Sequence, residues 1–165
     1  MINKDGIKKP SYFAYYLLSK LGEMIIEQGE EYIITKNEEN IQILAYNFAY
    51  FDELFMNGDT SALTNTERYL VYENKETKKV EINATGIFGY YKVTRYELNR
   101  ENGSAFDQWV KMGAPENMTK AEVHYLKGKA NPKISVEYLN IGGNYSNSLY
   151  IPVHGVELII LEKQI

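Results

Sequence analysis

The most continuous apolar segment of the chain lies near its amino end. Pro10 precedes seven consecutive apolar or aromatic residues, YFAYYLL at 12–18, and Gly22 follows them. Proline is common in the first turn of a helix and glycine just after the last, so this pattern predicts a helix that ends before Gly22. Because apolar positions extend most of the way round such a helix, we expect it to pack against neighbours on two sides.

The rest of the chain is dominated by short segments typical of strands. Apolar and polar residues alternate, with many β-branched and aromatic side chains, in eight segments: 31–35, 41–47, 69–72, 80–84, 89–98, 134–139, 148–151 and 156–161. The polar turn KNEEN at 36–40 predicts a hairpin, and the polar residues 52–68 predict an exposed loop. Seven or eight short strands separated by turns predict an antiparallel β-sandwich.

Two short helices interrupt this strand pattern. The segments 106–112 and 119–127 have helical patterns, and Thr119 with Glu122 forms a capping-box sequence. The turn GAP at 113–115 separates them. The predicted fold is therefore mainly β: an antiparallel sandwich with an N-terminal helix and two short helices inserted near residues 105–127.

Composition narrows the possible functions. The 165 residues are 44% hydrophobic and 24% charged, which is typical of one folded domain. A formal charge of −4 without a basic cluster argues against a nucleic-acid partner. Cysteine is absent, which excludes thiolate nucleophiles, disulfides and cysteine metal sites. We find neither a secretion signal nor an apolar run of roughly 18–20 residues, so we expect a cytoplasmic location and no membrane partner.

A search for catalytic or metal-binding patterns finds none. His124 and His154 lack the spacing of metal ligands, and phosphate-binding, dinucleotide-binding and nucleophile-elbow motifs are absent from the sequence. The dipeptide Asn37-Glu38 is similar to part of a glycosidase acid/base motif, but a hairpin turn provides neither the burial nor the neighbouring charge that a catalytic acid needs. We therefore predict no catalytic residue, no metal and no cofactor in this chain.

Aromatic residues leave two interpretations open. The 15 tyrosines can fill the edges of sheets, or they can form a surface that stacks on sugars. Phe106 and Trp109 lie at an i, i+3 spacing, which places both rings on one face of a short helix. They are candidates for internal packing or, more weakly, for contacts with a sugar.

Three segments resemble parts of glycoside hydrolase family 39, the family of β-xylosidases and α-L-iduronidase. GIKKPSYFAYYLLSKLG at 6–22 is similar to the last helix of that family's (β/α)8 barrel. LYIPVHGVELIILE at 149–162 is similar to its closing strand pair, although Gly155 replaces an acidic residue that is common there. The segment 90–127 is the most specific; it resembles a strand, loop and turn of bacterial β-xylosidases whose signature is carried here by Asn99, Gly103, Ser104, Ala105, Phe106, Asp107, Trp109, Met112, Gly113, Ala114 and Pro115.

This resemblance implies a division of the chain and a role for it. Residues 1–23 would be the last helix of a barrel that the chain does not contain, since a barrel needs about 250 residues, and 24–165 would be an accessory β-sandwich. The family's catalytic glutamates lie on barrel strands with no counterpart here. The resemblance therefore implies a non-catalytic C-terminal domain that supports a barrel which hydrolyses β-xylosides by a retaining mechanism. The parent protein is expected to be a glycosidase, and this chain alone is not.

The same resemblance suggests partners. Tyr12, Phe13, Tyr16 and Leu17 are the candidates for an interface, either with the catalytic barrel or with a second copy of the chain. If they have no such partner, we expect the helix to fold back on the chain's own sheet, because soluble monomers rarely expose a large apolar patch. The alternative function is a carbohydrate-binding module for xylo-oligosaccharides, which would present a row of exposed aromatic residues on one sheet face.

Overall fold

The computed structural model describes residues 1–164 and consists of four helices and six strands within that range. The helices are α1 (Pro10–Leu18), α2 (Glu53–Met56), α3 (Ala105–Lys111) and α4 (Lys120–Lys129). The strands are β1 (Met24–Gly29), β2 (Tyr32–Asn37), β3 (Asn40–Asn47), β4 (Lys78–Leu98), β5 (Lys133–Ile151) and β6 (Gly155–Lys163). No helix among these residues is long and apolar enough to cross a membrane.

The six strands form one antiparallel sheet. Their order across the sheet is β1-β2-β3-β6-β4-β5, so the last strand of the chain lies at its centre. Tight turns join β1, β2 and β3, whereas α3 and α4 lie in the long connection from β4 to β5. β1 and β5 are the two edge strands.

β4 and β5 are unusually long, and a bulge in β4 lets both halves of this strand face the same core. The register shifts between Thr85 and Ile87, with Gly86 at a φ of +77°. Before the bulge the core residue Ile82 is even-numbered, and after it Tyr91 and Val93 are odd-numbered. One additional residue reverses the alternation of side chains, so the bulge keeps apolar side chains on the same face along the whole strand.

The first core lies on this face. Residues from both ends of β4 and β5 pack with β3 and β6, which shows that the outer half of the β4–β5 pair folds back over the centre of the sheet. Leu149 and Ile151, near the end of β5, are completely buried. The amide of Asn47 in β3 donates to the carbonyl of Ile151 at 2.9 Å, which ties the folded-back part to the central strands.

The second core lies on the opposite face, between the sheet and the helices. Phe13 and Leu17 of α1 and Leu126 of α4 cluster with Leu44, Leu98 and Leu158 of the central strands. In β6 the even-numbered Leu158 and the odd-numbered Ile159 are both fully buried, in different cores. A central strand covered on both faces has apolar residues at consecutive positions, and this explains the continuous run LIIL at 158–161.

The structure confirms the mainly β, antiparallel fold and corrects its details. Six strands form a single sheet, fewer than the predicted seven to eight, because 80–84 and 89–98 belong to one strand and 134–139 and 148–151 to another. Residues 69–72 form no strand; Tyr72 makes only an isolated bridge to Phe51. β1 was missed because all six of its residues are exposed and show no alternation of burial. The helix predictions and the capping box at Thr119 are confirmed.

Candidate functional site

The first candidate surface is the outer side of α1. Phe13 and Leu17, one helical turn apart, face the sheet and are only 5% and 0% exposed. Both belong to the chain's own second core, so the helix folds back on the chain's own sheet. The assignment of Tyr12, Phe13, Tyr16 and Leu17 to an interface stays a prediction. Tyr12 is half-buried against the same core, and of the four candidates only Tyr16 is exposed.

The other side of α1 is apolar and faces outward. Tyr15 is 64% and Leu18 45% exposed, and the chain continues directly into Met24, Ile25 and Ile26 of edge strand β1, all more than half exposed. We call these five residues the α1–β1 surface. The connection between helix and strand is fixed, because the Gly22 amide donates to the Thr35 hydroxyl at 2.7 Å and the Glu23 amide donates to the Asn37 side chain at 2.7 Å.

The second candidate is a pocket that contains both aromatic residues predicted as sugar contacts. Phe106 and Trp109 of α3 have ring centroids 6.0 Å apart and an interplanar angle of 34°. They line a cavity of about 330 Å3 between α3, α4 and the first ten residues. The indole nitrogen of Trp109 donates to the carbonyl of Pro115 at 3.0 Å, which fixes the ring while one side of it contributes to the cavity wall.

The walls of this cavity combine apolar side chains with cations. The apolar part comes from Ile7, Pro10, Ala105, Phe106, Trp109, Met118 and Leu126, and the polar part from Asn3, Lys8, Lys9 and Arg68. The Arg68 guanidinium lies 4.8 Å from the centre of the Phe106 ring. A hydrogen-bonded turn at 3–7, in which the Asn3 side chain accepts from the Ile7 amide at 2.8 Å, holds the lysine-bearing segment in place. We call this site the α3 pocket.

A buried carboxylate supports the α3 pocket from behind. Asp107 accepts hydrogen bonds from the Ser104 hydroxyl, the Tyr69 hydroxyl and the Arg100 guanidinium, at 2.5, 3.0 and 2.8 Å. Burial, and then the charge of Asp107, raises the pKa of Tyr69 to about 12, so this hydroxyl remains a donor at all ordinary pH values. Gly103 begins the motif with a φ of +93°, where a Cβ would lie 2.6 Å from Leu98. The signature residues 103–109 thus position α3 and anchor Tyr69 of the long loop.

Glu97 and Glu157 form a pair of acidic side chains whose surroundings differ from those of a catalytic pair. Glu97 and Glu157 are directly opposite on β4 and β6. Arg95 donates to Glu157 at 2.7 and 2.8 Å, and Lys133 contacts Glu97 at 2.9 Å. Burial raises the pKa of Glu157 even though Arg95 opposes the shift. Neither carboxylate lines any of the five pockets described for residues 1–164, so this pair is a neutralised ion cluster inside the fold.

The remaining polar candidates are structural or exposed. Glu38 lies in the two-residue hairpin turn between β2 and β3, as predicted. His124 is exposed on α4. His154 occupies a turn at a φ of +60°, where its ring packs 4.5 Å from that of Tyr72, and burial lowers its pKa. Among residues 1–164, no group of three or more His, Asp or Glu side chains could hold a metal ion.

A third candidate surface is a row of aromatic residues that sequence patterns did not identify. Phe88 and Tyr90 of β4 and Tyr138 of β5 lie on the sheet face that the helices cover elsewhere, and each is 50–64% exposed. The rings of Tyr90 and Tyr138 are nearly parallel, with centroids 6.0 Å apart. Asn140 pairs with Tyr90, and Lys92 with Tyr138, so polar groups border the rings. The alternation in 89–98 was visible in the sequence, but which face the helices cover depends on the tertiary structure.

Comparison with known proteins identifies relatives over nearly the whole chain. A sequence model of the family described as "Glycosyl hydrolases family 39" matches residues 1–145. An uncharacterized HTH-type transcriptional regulator of Staphylococcus aureus strain COL is 26% identical over 161 residues, which is 94% of this chain and 20% of the regulator. The chain therefore spans about one fifth of the length of this curated relative.

Solved structures share the fold. A GH39 enzyme from Xanthomonas axonopodis pv. citri superimposes with a TM-score of 0.76 at 17% identity, over 99% of this chain and 32% of the enzyme. A monomeric β-xylosidase from Caulobacter crescentus CB15 gives a TM-score of 0.77 at 20% identity, with the same coverage of 99% and 32%. At these identities the similarity establishes the fold, and the chain matches about one third of each enzyme.

Proposed function

Because this chain belongs to glycosyl hydrolases family 39, we propose that it is a non-catalytic accessory domain, which packs through α1 and β1 against a (β/α)8 barrel that hydrolyses β-xylosides. The chain matches only a third of the length of the solved family enzymes, which leaves room in them for such a barrel. The curated relatives are named as transcriptional regulators, and the chain covers a fifth of one of them. The names of these relatives describe the whole regulators, whereas the proposal concerns the role of this domain and the barrel that it would contact.

The α1–β1 surface is the observation that carries this proposal. Phe13 and Leu17 show that one side of α1 is already covered by the chain's own sheet, while Tyr15 and Leu18 on its outer side are apolar and exposed. Exposed apolar residues at the end of a helix and along an adjoining edge strand favour burial against another body. The helix thus has the two apolar sides that the sequence predicts, and the barrel would cover the second.

The surroundings of the carboxylates support a non-catalytic role. Retaining glycosidases need an acid and a nucleophile about 5–5.5 Å apart that both reach the substrate. Glu157 is buried and held by two contacts from Arg95, and Glu97 is held by Lys133. A sugar would have to displace Arg95 to reach the buried Glu157 and Lys133 to reach Glu97.

The α1–β1 surface can be tested by its effect on association of the purified chain. We expect the chain to self-associate in size-exclusion chromatography with light scattering, more strongly as its concentration rises. Replacing Tyr15→Ser together with Leu18→Gln should restore the monomer. The control, Tyr150→Ser with Leu54→Gln, removes an exposed tyrosine and an exposed leucine outside this surface and should not restore the monomer. A wild-type chain that remains monomeric throughout would contradict the proposal, as would release of nitrophenol from nitrophenyl β-xyloside by the chain.

A second candidate function is binding of neutral xylo-oligosaccharides, and the row formed by Phe88, Tyr90 and Tyr138 favours it. Nearly parallel, exposed rings on one strand pair offer flat apolar faces on which pyranose rings can stack. Calorimetric titration with xylohexaose should give heat that is lost when Tyr90→Ala and Tyr138→Ala are combined and kept in Tyr150→Ala. The absence of heat with the wild-type chain would refute this function.

A further inference from the structure

The α3 pocket has the size and the lining of a site for a small ligand. Its volume of about 330 Å3 is within the range of about 300–1,000 Å3 that is typical of small-molecule sites. Its floor is aromatic and aliphatic, with Phe106, Trp109 and the completely buried Leu126. Polar groups lie at its rim. Sites of this kind hold the body of a ligand by apolar contact and orient it through a few polar groups.

The charged residues of the lining indicate that the ligand is an anion. Lys9 and Arg68 contribute two cations, and the lining contains no Asp or Glu, although the whole chain has a formal charge of −4. Lys8 also lines the cavity, but its ammonium lies over the rings of Tyr12 and Phe13. Asp107 is directed away, because its carboxylate already accepts from Ser104, Tyr69 and Arg100. Two cations next to a low-dielectric wall favour an anion, and the attraction is stronger there than on an open surface.

The geometry of the aromatic residues adds a requirement for a ring. The Arg68 guanidinium lies over Phe106 and so occupies the face of that ring, whereas the Trp109 ring is fixed by the hydrogen bond from its indole nitrogen to the Pro115 carbonyl. A pyranose presents C–H groups on its faces, and these pack favourably on the negative face of an aromatic ring. We infer that the α3 pocket binds an acidic sugar, with its carboxylate at Arg68 and Lys9 and its ring on Trp109.

This inference rests on the proposed carbohydrate-related function for the choice of a sugar ring, but its site is separate. It involves neither the α1–β1 surface nor the row at Phe88, Tyr90 and Tyr138. Failure to bind an acidic sugar would therefore not change the results expected from the association test and the xylohexaose titration. A negative result in either of those two experiments would likewise not contradict ligand binding in the α3 pocket.

Trp109 makes the pocket directly measurable, because it is the only tryptophan of the chain. We propose to titrate the purified chain with a xylotriose that carries one glucuronic acid group and, in parallel, with neutral xylotetraose, and to follow tryptophan fluorescence and heat. The acidic sugar should bind at least about tenfold more tightly than the neutral one, and added sodium chloride should weaken this binding by screening the charges. Equal affinity for the two sugars, or no fluorescence change with either, would overturn the inference.

Substitutions at the rim locate the anion. Arg68→Gln and Lys9→Gln should each weaken binding of the acidic sugar about fivefold or more without affecting folding, because both side chains are exposed. Lys36→Gln removes an equally exposed cation on β2 and should change the affinity less than about twofold. Loss of affinity in all three variants alike would indicate general charge attraction and would reject the site. Inorganic phosphate at the same concentration should not displace the acidic sugar; complete displacement would show a general anion site in place of a sugar site.

Discussion

Replacing Leu17→Ala should destabilise the whole domain by about 2–5 kcal/mol. Leu17 is completely buried between α1 and the sheet and clusters with Leu44 and Leu158. The substitution removes apolar groups worth about 0.8 kcal/mol per CH2, and the rigid strands beneath cannot collapse to fill the space, which adds the cost of a cavity. At about 2–4 °C per kcal/mol, the thermal midpoint should fall by roughly 4–20 °C.

Leu18→Ala is the matched control, because it removes the same atoms from the next residue, which is 45% exposed. We expect this control to lower the free energy of unfolding by less than about 1 kcal/mol, since nearly half of the residue already contacts water and the site is open to solvent. Urea unfolding followed in parallel by Trp109 fluorescence and far-UV circular dichroism measures both variants. The two probes should give one common transition in each variant.

The reasoning would be refuted if α1 did not pack on the chain's own sheet. If α1 belonged only to an absent barrel, its removal from the sheet would leave the rest of the domain intact. Leu17→Ala would then shift the midpoint no more than Leu18→Ala does, or the dichroism would show a separate early loss of helix. Either result would contradict the packing of α1 in the second core.

Three further predictions concern the buried carboxylate, acid stability and backbone strain. Asp107→Asn should lower the free energy of unfolding by about 2 kcal/mol, because three donors lose a charged acceptor. The urea midpoint should fall, and trypsin should cleave the loop 57–68 faster. An unchanged midpoint would show that this hydrogen-bond network contributes nothing to stability. Hydrogen bonds from Lys75 and Lys78 lower the pKa of Glu31 from 4.5 to about 2, so its contribution to folding stability is present above about pH 4.5 and lost as the pH falls towards 2. Glu31→Gln should therefore reduce the free energy of unfolding by about 1 kcal/mol near neutral pH and leave it unchanged at pH 2. Equal losses at both pH values would exclude this cause. Glu38→Gly should raise the thermal midpoint, since Glu38 has a φ of +52°, which costs about 1–2 kcal/mol in any residue except glycine. Glu39→Gly, at the next position of the turn, should not raise it. Equal midpoints for the two variants would contradict backbone strain at Glu38.

Sequence patterns predicted those elements whose signals are local. The turn at 36–40, the capping box at Thr119 and the short helix at Phe106 depend on residues within a few positions of each other, and the structure confirms them. The boundaries of the long strands were not predictable in this way. Gly86 and Gly89 suggest a break in the chain, but cross-strand pairing with β5 keeps the hydrogen bonds continuous through the bulge.

The candidate sites also combine features that local sequence patterns predict with features that depend on the fold. The spacing of Phe106 and Trp109 correctly placed both rings on one side of a short helix, and the structure shows that they line a common pocket. The cations of that pocket come from residues 9 and 68, which only the fold brings near α3. Likewise, Glu97 and Glu157 are 60 positions apart in the sequence and become neighbours only through the pairing of β4 with β6.

By itself, the sequence determined that the chain is mainly β and that its first helix has apolar residues on two sides. These properties follow from composition and periodicity, which act over a few residues. The family was indicated separately, by the resemblance of three segments to glycoside hydrolase family 39. Only the tertiary structure decided which side of α1 is already covered, where the aromatic residues remain exposed, and that the acidic pair is neutralised. Burial and electrostatic neighbourhood depend on contacts between residues far apart in the chain, and no local pattern contains them.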